Sequence, residues 1–393
     1  MVYDSFHNLF LFPCFSNTKN MFPANISDDY FLYYCEFTLS SAKPKKYNCM
    51  NKKLCLFLGL ILLAAASCVP ARMIDYSQIS VPQEGGYQFK QITAEDQIIW
   101  GPMVVNTSGK LQWFTGSMFD VSKDGEHLVY IGSTSADQKE GNIYVRSTGG
   151  GRSSVQRTFG ISSSGPCFSP DGKFICFSGT FAGQDKSNIC MINTNEGSAI
   201  QHLTESQSGV ATAPVFSSDG QSIFYTRGLA STNYIGNVPS STWTYSIWSM
   251  NKNTSITTQY VEGSSPEFVP GDKLLFTKSN KTTNQGEIWM LDLKSGQETL
   301  ILRDNLKGFS TPKISPDGKR ILCVGSTTGA KPADANLNIF MVNVDGTGFQ
   351  QLTFHPGSDV SPAWSPDGKS IYFLSQRGSA KGSYNVWSID IVK

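Results

Sequence analysis

Downstream of Gln88 the chain alternates short apolar runs with clusters of Ser, Pro, Asp and Gly, and the alternation is periodic. The unit reads P-x-h-S-P-D-G-K-x-I-x-F, where h is apolar and x varies. It occurs as PCFSPDGKFICF from Pro166, PVFSSDGQSIFY from Pro214, PEFVPGDKLLFT from Pro266, PKISPDGKRILC from Pro312 and PAWSPDGKSIYF from Pro362, with a weaker copy, FDVSKDGEHLVY, from Phe119. The copies are 47, 48, 52, 46 and 50 residues apart, close to the spacing of propeller blades. Each predicts a hairpin: Pro presets the first turn position, Asp tolerates the next and Gly takes the left-handed one. Asp171, Asp219, Asp317 and Asp367 are accordingly turn residues and not catalysts. A third strand follows each hairpin (NIYV at Asn142, NICMIN at Asn188, SIWSMN at Ser246, EIWMLD at Glu287, NIFMVN at Asn338, NVWSID at Asn385), and a fourth ends in segments such as QRT at Gln156 and QLT at Gln351.

The last unit shows only three strands before Lys393, and the absent fourth is found at the other end as QFKQIT, Gln88 to Thr93, which matches FQQLT at Phe349 to Thr353. The pattern therefore predicts an all-β fold: a six-bladed β-propeller of four-stranded antiparallel blades, closed by an N-terminal strand that completes the last blade and so removes exposed edges. The first unit is about nineteen residues longer than the second, and the surplus is assigned to a hairpin at Pro102 to Phe114.

The segment before the repeats reads as address. Leu54 to Ser67 (LCLFLGLILLAAAS) is a 14-residue apolar run behind Met50, Asn51, Lys52 and Lys53. A membrane span needs about 20 residues, whereas a secretory h-region needs about 7 to 15 behind a positive start. Small residues then precede Cys68, as in a bacterial lipobox, although Ala65 stands where Leu is usual. The expected organisation is an upstream segment at 1–49 belonging to a misassigned start, a lipoprotein signal peptide at 50–67, lipidated Cys68 opening a linker at 68–87, and the propeller at 88–393. Val69 after the Cys directs sorting to the outer membrane by resemblance to bacterial lipoproteins, with the protein in the periplasm or at the cell surface. A doubly or triply acylated Cys suffices for stable attachment.

Composition narrows the function classes. The formal net charge is +1 and charged residues make up 16% of the chain, which excludes the electrostatic footprint of a nucleic-acid binder. Of nine cysteines, Cys167, Cys176, Cys190 and Cys323 fall within the repeats, without metal spacing. The first three lie on successive strands, as buried small residues or as a disulfide in an oxidising compartment.

The Ser-Pro-Asp-Gly turns and Gln-Leu-Thr ends resemble the TolB-like six-bladed β-propeller family over residues 88–393. The resemblance implies architecture more than activity, because such propellers occur in periplasmic scaffolds, peptidase accessory domains and some lyases. It does not extend to TolB's N-terminal α/β domain, so a role in the Tol–Pal system is not implied.

Binding is expected on the face that carries the longer second-to-third strand loops, such as Arg227 to Tyr245 and Gln376 to Tyr384, together with the blade-to-blade connections. Candidate anchors are Tyr234, Trp243 and Tyr245 in the longest loop and Trp100, Trp113 and Phe114 in or beside the inserted hairpin, each with packing between blades as its alternative. No G-x-S-x-G elbow occurs and His127, His202 and His355 are dispersed, so no catalytic residue, metal or cofactor is assigned. His355 with Asp359 is a weak polar pair at the channel mouth, of the kind a lyase would need. The expected function is a non-enzymatic, lipid-anchored scaffold with a protein partner at the cell envelope. Its alternatives are a glycan-binding or lyase-like propeller and an accessory to a separately encoded envelope peptidase.

Overall fold

The computed structural model describes residues 84–391 apart from short segments (94–97, 102, 106–110, 114–115, 135–139, 149–153, 196–198, 205–206, 236–237, 328–335 and 379–382). The expected signal peptide at 50–67, Cys68, Phe114 and the expected upstream segment 1–49 therefore lie outside the described residues, as do the side chains of Trp113 and Tyr234.

Six antiparallel sheets form six blades, whose strands are lettered A to D outward from the axis. Blade 1 comprises Phe119–Val121, His127–Ser133, Asn142–Ser147 and Val155–Gln156; blade 2 comprises Ile161–Phe168, Phe174–Phe181, Asn188–Asn193 and Gln201–His202. Blade 3 comprises Val210–Phe216, Ser222–Ile235, Val238–Asn251 and Thr257–Glu262; blade 4 comprises Ser264–Val269, Lys273–Ser279, Gly286–Asp292 and Glu298–Leu302. Blade 5 comprises Lys307–Ile314, Arg320–Thr327, Asn336–Asn343 and Gln350–Gln351; blade 6 takes Asp359–Trp364, Ser370–Ser375 and Asn385–Asp390 from the end of the chain and Phe89–Gln91 from its beginning. Each A strand packs beside the next, and that of blade 6 returns to that of blade 1, so the ring is closed.

The motif residues explain why each unit folds this way. In five turns a Ser hydroxyl donates to the Asp two residues on, at 2.5–2.6 Å (Ser122, Ser169, Ser217, Ser315, Ser365). The following Gly has φ between 66° and 75°, a region that costs other residues about 1–2 kcal/mol. Those Ser hydroxyls, with backbone N–H groups, hold Asp124, Asp171, Asp219, Asp317 and Asp367 below the usual carboxylate range. Strands B and C are packed on both faces by neighbouring blades, so Leu128 to Ile131 and Ile189 to Cys190 are wholly buried in continuous runs.

The threonines that end these units are latches. Buried Thr158, Thr204 and Thr353 each accept, on Oγ1, a backbone N–H from strand C of the same blade (Ile143, Ile189 and Ile339) at 2.9 Å. Thr93 does the same for Val386 at 2.9 Å, and Gln91 Nε2 donates to the Thr93 carbonyl at 2.7 Å as Gln351 does to Thr353. The closing strand thus carries the same latch as the continuous blades. Thr93→Val, which leaves the buried Val386 N–H without its acceptor, is expected to lower unfolding free energy by about 1–3 kcal/mol. Chemical denaturation of Thr93→Val beside Thr353→Val checks this, with equal losses expected at the two sites.

The surplus of blade 1 is resolved as an insertion. Ile98–Ile99 pairs with Gly132–Ser133 and supplies the first half of strand A, while Phe119–Val121 supplies the second. Between the halves, Met103–Val105 and Leu111–Trp113 form a separate two-stranded hairpin. All four cysteines of the repeats are buried thiols outside any disulfide; Cys167 and Cys176 are paired positions on strands A and B of blade 2.

Candidate functional site

A four-stranded meander places the B–C and D–A connections on one face of the ring and the A–B turns on the other. On the B–C face, blade 3 departs from the sequence expectation. Arg227 to Tyr245 is not a loop: strands B and C continue as an unbroken antiparallel ribbon to Ile235 and Val238. Tyr234 pairs with Pro239 near its tip. Trp243 and Tyr245 lie on one face of this ribbon, opposite Ala230 and Gly228, with their rings 6.3 Å apart and inclined by 16°. A Cβ on Gly228 would lie 2.8 Å from the Tyr245 ring, so the small residues of the facing strand let the aromatic rings lie across it. The same face carries Phe159, Leu306 and Phe354 on D–A connections; these three are 72%, 72% and 50% exposed, and Trp243 and Tyr245 are 45% and 39% exposed.

Other predicted residues are placed differently. Trp100 is buried, donates its indole N–H to Ser133 Oγ at 3.0 Å, and lies against Gly141, where a Cβ would sit 2.8 Å from its ring. It packs blade 1 and offers no surface anchor. The Trp113 backbone pairs with Met103 in the inserted hairpin.

Asp359 opens strand A of blade 6 and is fully buried, so it offers no carboxylate to the channel mouth. Arg377 donates to both its oxygens, at 3.3 and 3.1 Å, and to Glu84 Oε2 at 2.9 Å. The same guanidinium lies 4.1 Å from the centre of the Phe89 ring. Burial outweighs the attraction of Arg377 and holds the Asp359 carboxyl above its ordinary value. His355 Nδ1 accepts the Gly357 N–H at 2.9 Å. The pair His355–Asp359 is thus a structural element beside the ring closure, and Glu84, from the predicted linker, belongs to it.

The A–B face opens on a feature that the sequence reading passed over. An axial funnel of about 410 Å³ is lined by the x, h, Ser and Pro positions of the repeated motif. The x positions are Asp120, Cys167, Val215, Glu267, Lys313 and Ala363, and the h positions are Val121, Phe168, Phe216, Phe268, Ile314 and Trp364. Lys313 Nζ donates to Glu267 Oε2 at 2.9 Å, and Asp120 Oδ2 accepts the Phe168 N–H of the next blade at 2.9 Å. Burial raises both carboxyls, and Glu267 and Asp120 in turn hold the Lys313 ammonium charged.

Further along the axis the channel narrows to about 20 Å³ between Gly165–Pro166, Ala213–Pro214, Ser265–Pro266 and Thr311–Pro312. Each A strand of blades 2 to 6 shifts register there. Ala213, Ser265, Thr311 and Ser361 adopt φ of 50–52° at the shift, a bulge repeated around the axis. Among the described residues, Asp124, Glu126 and His127 bring one ligand atom each within 4.8 Å of one another at an exposed turn. Asp124 is already the acceptor of that turn.

Comparison with known proteins agrees with this geometry. Residues 250–391 match the family described as TolB beta propeller domain. A 75-residue segment is 38% identical to Dipeptidyl-peptidase 5 of Porphyromonas gingivalis, covering 19% of this chain and 11% of that protein. The chain thus matches about a tenth of the length of that curated relative. Among solved structures, it is similar to oligogalacturonate lyase from Vibrio parahaemolyticus (TM-score 0.50, 13% identity, 80% of this chain and 96% of that one). It is also similar to TolB from Acinetobacter baumannii (TM-score 0.47, 17% identity, 72% of this chain and 68% of that one). With six closed blades and repeated Ser-Pro-Asp-Gly turns, this chain is a six-bladed β-propeller whose C-terminal blades, residues 250–391, match the TolB beta propeller domain family.

Proposed function

We propose that this propeller is a non-enzymatic, lipid-anchored scaffold for protein contacts at a bacterial cell envelope, in the periplasm or at the outer-membrane surface. The observation that carries the reading is the B–C face, where Trp243, Tyr245, Phe159, Leu306 and Phe354 expose large apolar groups on a rigid ring. Exposed aromatic and apolar groups on one face are the composition of contact hot spots. The apolar run before Cys68 supports the anchor, and the lipobox-like AASC supports lipidation. His355 and Asp359 are committed to structural contacts, which favours a binding role over a catalytic one on this face.

A second reading, glycan binding on the same face, is favoured by the nearly parallel Trp243 and Tyr245 rings, since sugars stack on such platforms. The similarity to a Dipeptidyl-peptidase 5 segment suggests the third, an accessory of an envelope peptidase. Affinity capture from detergent-solubilised envelope separates them. The scaffold reading expects one stoichiometric protein partner, and a protease as that partner selects the accessory role. Retention on envelope polysaccharide without a protein partner contradicts the scaffold reading.

A further inference from the structure

The outer D strands are the free edges of a propeller, and here they are guarded. Four are two or three residues long (Val155–Gln156, Gln201–His202, Gln350–Gln351 and Phe89–Gln91), and the longer two, Thr257–Glu262 and Glu298–Leu302, are each paired through a register shift. Short or bulged edges are poor templates for a further strand. The blade 3 ribbon departs from this. Strand A of that blade begins at Val210 opposite Gly228, so strand B continues over residues 229–235 with strand C as its pairing partner among the described residues. The register decides which backbone groups point outward. Tyr245, paired with Gly228, turns its carbonyl away from strand B to accept the Gly263 N–H at 3.0 Å, and in an antiparallel pair such outward positions recur at every second residue. On strand B they are Ala230, Thr232 and Tyr234, each with an N–H and a C=O directed away from the ribbon. On strand C the outward position beside the turn is Pro239, which has no N–H to offer. No charged residue occurs over residues 228–245, so the strand B edge carries neither the proline nor the charge that ordinarily blunts an edge.

Resting on the B–C face as the contact surface, we propose that the protein partner is held there by β-strand addition. An extended, uncharged segment of the partner pairs with residues 229–235 and becomes a third strand of the ribbon. Backbone hydrogen bonds to Ala230, Thr232 and Tyr234 supply the hold, and side chains at alternate positions supply the selectivity. The Tyr245 ring lies over Gly228, and Trp243 is paired with Ala230 on the same face of the ribbon. Residues of the added strand that share this face are therefore apolar, and those on the other face are polar. A charged segment would find no countercharge on the ribbon. Two strands alone are marginally stable and a third consolidates them, so the added segment also completes the element that receives it.

The probe is an acetylated and amidated heptapeptide, Thr-Val-Thr-Trp-Thr-Val-Thr, with a counterpart N-methylated throughout, which cannot donate. Titrated into the isotope-labelled full chain, the probe is expected to bind saturably and to slow amide exchange at Ala230, Thr232 and Tyr234. Ser231 and Asn233, whose N–H groups already face strand C, are expected to exchange as before. The N-methylated counterpart is expected to be silent.

Thr232→Pro and Ala230→Pro each remove one outward N–H without touching the aromatic rings, and each is expected to weaken probe binding and partner capture about tenfold at unchanged melting temperature. Ser241→Pro, on the edge that Pro239 already interrupts, is expected to change neither. Failure of the probe to bind, equal binding of its N-methylated counterpart, or full affinity in the folded Pro variants of strand B overturns strand addition. Partner capture that is lost when Trp243 and Tyr245 are replaced but kept in Thr232→Pro removes strand addition and leaves the contact face standing. A bound probe with no captured partner removes the scaffold reading and leaves the edge site. Concentration-dependent dimerisation of the free chain that Thr232→Pro abolishes would give the edge to a second copy and overturn its assignment to a partner strand.

Discussion

Arg377→Met is expected to destabilise the propeller by about 3–5 kcal/mol, because it removes the partner of a fully buried carboxylate. Arg377 holds Asp359 through two donors and Glu84 through a third, and its guanidinium covers Phe89 of the closing strand. Met replaces the stem but not the charge. The Asp359 carboxyl, already raised by burial, is then raised further. A carboxyl with a raised folded value is tolerated when protonated and costs most when it must ionise, so the loss is expected to grow as pH rises above the carboxylate range and to shrink as pH falls. Urea denaturation at pH 5 and pH 8 reads both magnitude and sign. Adding Asp359→Asn to Arg377→Met should recover part of the loss at pH 8. An equal loss at both pH values, unrelieved by Asp359→Asn, would show that Arg377 acts through packing alone.

The second large effect concerns the contact face. Replacing Trp243 and Tyr245 together by Ala is expected to weaken capture of the envelope partner by about 30-fold or more, since losing one aromatic hot spot typically costs about 2 kcal/mol or more. Both side chains are exposed in the free chain, so the fold should not suffer. Their ribbon is held by the backbone ladder from Ser222↔Asn251 to Ile235↔Val238, which the substitutions leave intact. Partner capture measured against melting temperature separates a lost contact from a lost fold.

The blades were legible in the sequence because the residues that make the turns and latches are the ones that repeat. Ser-x-Asp-Gly is a hydrogen-bonding unit in itself, and in blades 1, 2, 5 and 6 the Thr that ends the unit accepts a strand C backbone N–H on its Oγ1, so even the displaced strand at Phe89–Gln91 announced its place. The ribbon of blade 3 was not legible. Its residues from Leu229 to Ser241 show no sustained alternation of apolar and polar positions, and a ladder of backbone pairs forms there without help from side-chain pattern.

The clasp of Glu84, Asp359 and Arg377 joins positions far apart in the chain, and nothing local marks them. The funnel was hidden for the opposite reason. Its chemistry occupies the x of the motif, the position that the repeat itself treats as noise, yet ring closure brings the six x residues to one axis. Reading the variable position around the ring, instead of the constant ones along the chain, would have found Asp120, Glu267 and Lys313.

The claim that the B–C face is where this propeller meets a protein is tested most directly by hydrogen exchange on the purified chain with and without its captured partner. Slowed exchange is predicted in the blade 3 ribbon at Gly228 to Tyr245 and in the connections at Phe159, Leu306 and Phe354, with the Ser-Pro-Asp-Gly turns unchanged. Protection confined to those turns, with the ribbon exchanging as in the free chain, would contradict it.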